Sequence, residues 1–171
     1  MLTKTGIEKY FTAEKNESLL FIVIGLAAIL LALVFYFYLK TNWCKGAAIP
    51  LVFVGCMHLV IGSIVFKRSD QDRKRIVYAL DMDPGGLKAK EVPRMEQVNR
   101  NFVLYRYTEI ALLLAGLGIY FYFNSYPDKR WWVGLGAALA LEAAISLGAD
   151  YFAEKRAAIY TSQLNAFVKT K

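Results

Sequence analysis

Four apolar stretches, each long enough to cross a lipid bilayer as one helix, constrain everything else in this sequence. Residues 19–39 carry no formal charge, and residues 47–66 carry only the imidazole of His58. Residues 103–124 and 131–151 are similar but hold isolated ionisable side chains. A hydrocarbon core of about 30 Å needs about 20 apolar helical residues, so each stretch fits one crossing. The expected fold is therefore all-α: a polytopic membrane protein, an antiparallel four-transmembrane-helix bundle with cytoplasmic helical extensions, forming one domain over 1–171.

Composition agrees. Hydrophobic residues make up 57% and charged residues 20%, with the charges crowded between the apolar stretches. A soluble domain would interleave them at helix or strand period. The longest hydrophilic segment, 67–102, leaves no room for a sizeable soluble domain. The first stretch ends in Phe35-Tyr36-Phe37-Tyr38 rather than in small residues, so it is expected to remain as an uncleaved anchor. No lipidation motif is present.

The net charge of +7 is explained better by orientation than by nucleic acid. Sixteen lysines and arginines lie in 1–17, 67–102 and 152–171, the last of them Lys171, against only Lys40, Lys45, Lys129 and Arg130 in the opposite loops. That positive-inside bias places both termini in the cytoplasm, as in a bacterial inner membrane. The 67–102 segment balances its cations with six acids, so it is no surface for tracking phosphates, and no nucleic acid is expected. Its cluster around Lys67, Arg68 and Arg73–Arg75 suits anionic lipid heads.

Residues 1–17 set Ile7, Tyr10 and Phe11 at helical spacing among charges, predicting an amphipathic helix on the inner membrane surface. Asn16-Glu17-Ser18 offers capping groups for the first crossing. Ser69 with Asp72 matches a capping box, so either the second helix continues to about Leu80 or a new one starts at Ser69. Asp83-Pro84-Gly85-Gly86 is a break, and Pro93 suits the first turn of the third helix. Long inner ends of helices two, three and four would form a small cytoplasmic bundle. The first crossing, lacking polar groups, is expected to be the more lipid-exposed.

The two outer loops resemble each other: an aromatic run, a polar link, then Trp43-Cys44-Lys45-Gly46 or Trp131-Trp132-Val133-Gly134. Aromatic belts explain this; a duplicated helical hairpin also would. Cys44 and Cys56 are too far apart along a helix to bridge.

Polar side chains inside the apolar stretches carry the most weight, because a charge at the bilayer centre costs about 2.5–3.5 kcal/mol or more. His58 and Glu142 fall at nearly the same depth, close to the midplane, and could hydrogen-bond if helices two and four are neighbours. Gly55 and Gly62 flank His58. Gly134, Ala138, Glu142, Ser146, Asp150 and Glu154 form a small or polar i+4 ridge, either a packed seam or the wall of a wet cavity. Nearer the inner interface, Arg106 could pair with Asp150 or with Glu109, with Glu154 at the same level. Gly116-Leu117-Gly118 reads as a helix-packing pair.

Catalysis has little support. One histidine excludes a two-histidine metal pair, no nucleophile or phosphate-binding motif appears, and Glu142 and Asp150 stand about 12 Å apart along their helix. A heme would find no second ligand. No cofactor, metal or enzymatic activity is expected. The leading expectation is a non-enzymatic protein that binds another membrane component, as an accessory subunit or an immunity-type protein. The alternative is a homo-oligomeric ion or proton channel, or small transporter, lined by His58, Glu142, Ser146 and Asp150. Lipid contacts it in both cases, with a protein partner or further copies of itself.

Overall fold

The computed structural model describes residues 2–170, so Lys171 lies outside the described residues. Four long helices fill it: α1 Lys4–Leu39, α2 Asn42–Met82, α3 Pro84–Asn124 and α4 Pro127–Lys169. All four are long and apolar enough to cross a membrane. With 36 to 43 residues each, they run for about 54–65 Å at 1.5 Å per residue, roughly twice a bilayer core. The surplus lies at one end, called here the terminal end because both chain termini and the α2–α3 turn sit there. The opposite, loop end carries the other two turns.

Local chemistry sets the boundaries. Thr3 accepts the Gly6 N–H and starts α1; Thr41 accepts the Cys44 N–H and starts α2. Between them, α1 widens to a π-helical turn at Val34–Leu39 and stops at Lys40, whose φ of 56° is left-handed. Asp83 breaks the chain between α2 and α3 and accepts the Gly86 N–H. Helix resumes at once at Pro84, so the expected break is a single residue, and after a π-helical turn at Leu87–Glu91 Pro93 stands, as expected, in the first turn of the regular α-helical part Val92–Asn124.

The expected cap at Asn16-Glu17-Ser18 is not a helix end, and of the two alternatives at Ser69 the continuous helix is the one that forms. α1 runs straight through Asn16-Glu17-Ser18, where the Ser18 hydroxyl donates to the Lys15 carbonyl. α2 runs straight through Ser69, whose hydroxyl donates to Glu14 and to the Val65 carbonyl. In both places apolar packing on each side keeps the backbone helical, and the polar side chain turns to other work.

α1 packs on α2, α2 on α4, and α4 on α3, so the order across the molecule is α1–α2–α4–α3. The outer pairs are antiparallel hairpins. The central pair, α2 and α4, runs parallel, which differs from an all-antiparallel bundle. Glycines draw each pair together, since a close backbone approach needs a residue without Cβ. A Cβ on Gly25 would stand 2.7 Å from the Gly55 carbonyl oxygen (α1–α2), and one on Gly116 2.6 Å from the Ala140 nitrogen (α3–α4). Gly118 meets nothing, so only one member of the expected packing pair packs.

Two cores result. At the loop end, Ala28, Ala32, Ala47, Ala48, Leu51 and Ala138 form a core of small residues flanked by Phe35 and Trp43. At the terminal end, Ile7 and Phe11 are fully buried with Ile76, Leu87, Met95 and Leu164. Burying such side chains is worth about 1.5–3 kcal/mol each. The amphipathic reading of 1–17 was thus right about the stripe and wrong about what covers it. The stripe packs against the other three helices, not flat on a membrane. The expected small bundle at the terminal end exists, with α1 as its fourth member.

Exposure of the apolar stretches also departs from expectation. That of α3 is the least covered, ahead of α1. α1 turns Gly25, Ala28 and Ala32 to α2 and larger apolar side chains such as Val23, Leu26 and Leu30 outward, whereas α3 sits at the edge of the row with one neighbour along its apolar length.

Candidate functional site

The α2–α4 seam is built on a reciprocal contact. A Cβ on Gly46 would fall 1.9 Å from the Trp131 carbonyl oxygen, and a Cβ on Gly134 1.9 Å from the Trp43 carbonyl oxygen. Two helices that touch through equivalent residues are related by a local two-fold axis lying between them. His58 and Ser146 obey the same relation, 88 residues apart, and meet across the axis with Nε2 and Oγ separated by 3.2 Å. Lys67-Arg68 and Lys155-Arg156 stand at the same spacing. The likeness between the two loops therefore extends into the packing of α2 and α4.

His58 sits midway along this seam. Its flanking glycines serve α1: Gly55 meets Gly25, and a Cβ on Gly62 would stand 2.8 Å from the Ser18 carbonyl oxygen. The Phe21 ring of α1 covers the imidazole, centroids 5.0 Å apart. Glu142 lies on the seam one turn towards the loop end from Ser146. The structure gives His58 to Ser146 rather than to Glu142. His58 Nδ1 and Glu142 Oε2 are both buried without a hydrogen-bond partner.

Towards the terminal end the ridge of α4 drifts round from α2 to α3, because each i+4 step overshoots one 3.6-residue turn by about 40°. Asp150 and Glu109 are neighbours here, and Glu109 Oε2 is buried without a hydrogen-bond partner. Arg106 donates to both oxygens of Glu154, at 3.0 and 3.1 Å. The expected Arg106 pairing with Asp150 or Glu109 is replaced by this one, a turn further along. Arg156 pairs with Glu17 of α1, and burial pushes the Glu17 carboxyl above its ordinary range despite the guanidinium beside it.

Exposure is graded along the ridge. Glu142 is 4% exposed and His58 8%; Ser146 and Asp150 are half-buried; the side chains of Glu154 and Arg106 reach 24% and 42%. On the loop side the seam is closed by Ala138, Ala47 and Leu51.

A second polar group was not legible as a site. Glu91, wholly buried, takes a two-pronged contact from Arg94 (2.9 and 2.6 Å) and a hydrogen bond from the Tyr160 hydroxyl at 3.2 Å. Arg75 bridges Glu91 to Asp72, and Arg68 bridges Asp72 to Glu14. Tyr10 stacks on Tyr160, and Arg94 lies over Phe11. Burial first, with the nearby acids adding to it, pushes both tyrosine hydroxyls well above their ordinary range. Burial alone would lower Arg94, but the hydrogen bonds and charge of Glu91 outweigh it and hold the guanidinium firmly protonated. The only sequence signal was the i, i+3 spacing of Glu91 and Arg94. This network clamps four helices together.

Among the described residues no cluster of histidine, cysteine and carboxylates could hold a metal ion. Cys44 and Cys56 are both free thiols. The comparisons with protein-family models, curated proteins and solved structures find no match. The chemistry of the chain is read from its own residues.

Proposed function

We propose that this chain is an integral membrane protein with both termini in the cytoplasm, in a bacterial inner membrane, and that it acts without catalysis by binding another membrane component. The observation that carries this reading is α3. Its apolar stretch is almost uncovered by the rest of the chain, and Gly118 on it opens to empty space. Small residues without neighbours are what a partner helix needs for close approach. An accessory subunit or an immunity-type protein fits such a surface. The orientation rests on the sixteen-to-four split of cations.

A photoreactive residue introduced at Gly118 or Leu114 tests it. The expected product is one defined protein adduct, absent when the same residue replaces Val23 or Leu26 on the lipid side of α1. Lipid adducts alone at all four positions would refute the reading. An adduct with a second copy of the chain would make the bound component the protein itself.

The alternative of a channel or small transporter keeps one supporting observation, the buried unpaired atoms of His58 and Glu142. Against a path through one copy stands the closed seam on the loop side.

A further inference from the structure

We propose that Glu142 is a proton-binding site entered from the terminal side only, which is the cytoplasmic side in the orientation above. The proposal goes beyond the binding role of α3 and needs no partner. Four observations carry it.

Glu142 Oε2 and His58 Nδ1 are buried in one seam with no hydrogen-bond partner. Leaving a buried polar atom unpaired costs about 1–3 kcal/mol, so a seam that keeps two of them holds a site for something that arrives. The groups leading to them can each take one proton and release another. The Ser146 hydroxyl, which touches His58 at 3.2 Å, is next, then Asp150 with Glu109 as its neighbour. They recur at i+4 on α4, about 6 Å apart, passing from buried at Glu142 to half-buried at Ser146, Asp150 and Glu154. On the other side the seam is apolar and sealed by backbone contacts at Gly46 and Gly134.

The chemistry is one reversible step. A proton from water at the terminal end adds to Glu142 Oε2, turning carboxylate into acid, and leaves by the same route with no other bond changed. The groups that face the site are few. α2 contributes His58, and α4 contributes Ser146 and Asp150. α3 contributes Glu109 and, further out, Arg106. α1 contributes the Phe21 ring and, at the terminal end, Glu17 paired with Arg156. The size of the occupant follows from the packing. Among the described residues no metal-holding cluster forms here, and a proton needs no room.

The test uses the full chain in liposomes of fixed sidedness, with infrared difference spectra recorded as the pH is stepped on one side at a time. A protonated-carboxyl band should appear when the terminal side is acidified, be missing in Glu142→Gln, and ignore acidification of the loop side. Asp150→Asn should slow its appearance about a hundredfold, the scale of losing one positioned proton carrier, without shrinking it. If Glu142→Gln does not fold, Glu142→Asp serves: the band should persist at a shifted frequency. A band that follows the loop-side pH overturns the proposal, as does a Glu142 carboxyl insensitive to pH on both sides. So does a transmembrane proton flux that depends on Glu142, or the same spectral change produced by sodium at constant pH.

Discussion

The Trp43 carbonyl oxygen of α2 occupies the place where a side chain on Gly134 of α4 would begin. No rotamer relieves that contact, because both partners are backbone. Gly134→Ala is therefore expected to push the two helices apart, costing at least about 1–3 kcal/mol as over-packing does. Gly118→Ala, on an open face, should cost almost nothing. Thermal unfolding of the two variants in detergent checks the contrast, and equal losses would mean that α2 and α4 are not in backbone contact.

Glu91 should behave as the hub of the terminal-end bundle. Glu91→Gln leaves Arg94 buried beside a neutral amide, and breaking a buried ion pair from one side costs about 3–5 kcal/mol. The double variant Glu91→Gln with Arg94→Met should recover part of the loss, since no uncompensated charge remains. A thermal double-mutant cycle measures the coupling. Additive losses would dissolve the hub.

Two carboxyls outside the apolar stretches should bend stability against pH in opposite directions. Burial raises Glu17, so its contribution is fully present below the ordinary carboxylate value and is lost as pH climbs through the raised value. The Lys15 hydrogen bond lowers Asp70, so its contribution is present above the ordinary aspartate value and is lost as pH falls through the lowered one. Glu17→Gln should remove the decline on the less acidic side, and Asp70→Asn should remove the loss in strong acid. Unfolding midpoints across the acid range distinguish them; identical profiles for wild type and Glu17→Gln would contradict the burial of that group.

Topology can be read with single cysteines in a background lacking Cys44 and Cys56. An impermeant maleimide added to intact cells should label a cysteine at Asp128 and leave one at Lys9 untouched until the membrane is opened. Labelling in the reverse order would invert the proposed orientation.

The number of helices and their apolar extents were legible because both follow from runs of residue type, which packing does not alter. That His58 and Glu142 lie within about one turn of the same level was legible for the same reason, being a matter of counting along a helix. Which side chain His58 meets was not legible. That depends on α2 and α4 lying side by side, and on a register of 88 residues that the short Trp-x-x-Gly likeness only hinted at. The cover over Ile7, Tyr10 and Phe11 was also hidden: an apolar stripe reads the same whether lipid or Leu164 lies against it. Arg106 was placed correctly in depth, but the choice between Glu109, Asp150 and Glu154 turns on helix rotation, which one-dimensional spacing leaves open.

The pairing of His58 with Ser146 has a consequence for biogenesis. The imidazole leaves the ribosome 88 residues ahead of the hydroxyl that satisfies it, a delay of about 4–18 s at ordinary elongation rates of 5–20 residues per second. Through that interval the first hairpin is already made while its histidine has no mate, so it must wait where a chaperone, the insertion machinery or water can solvate the ring until the last helix arrives.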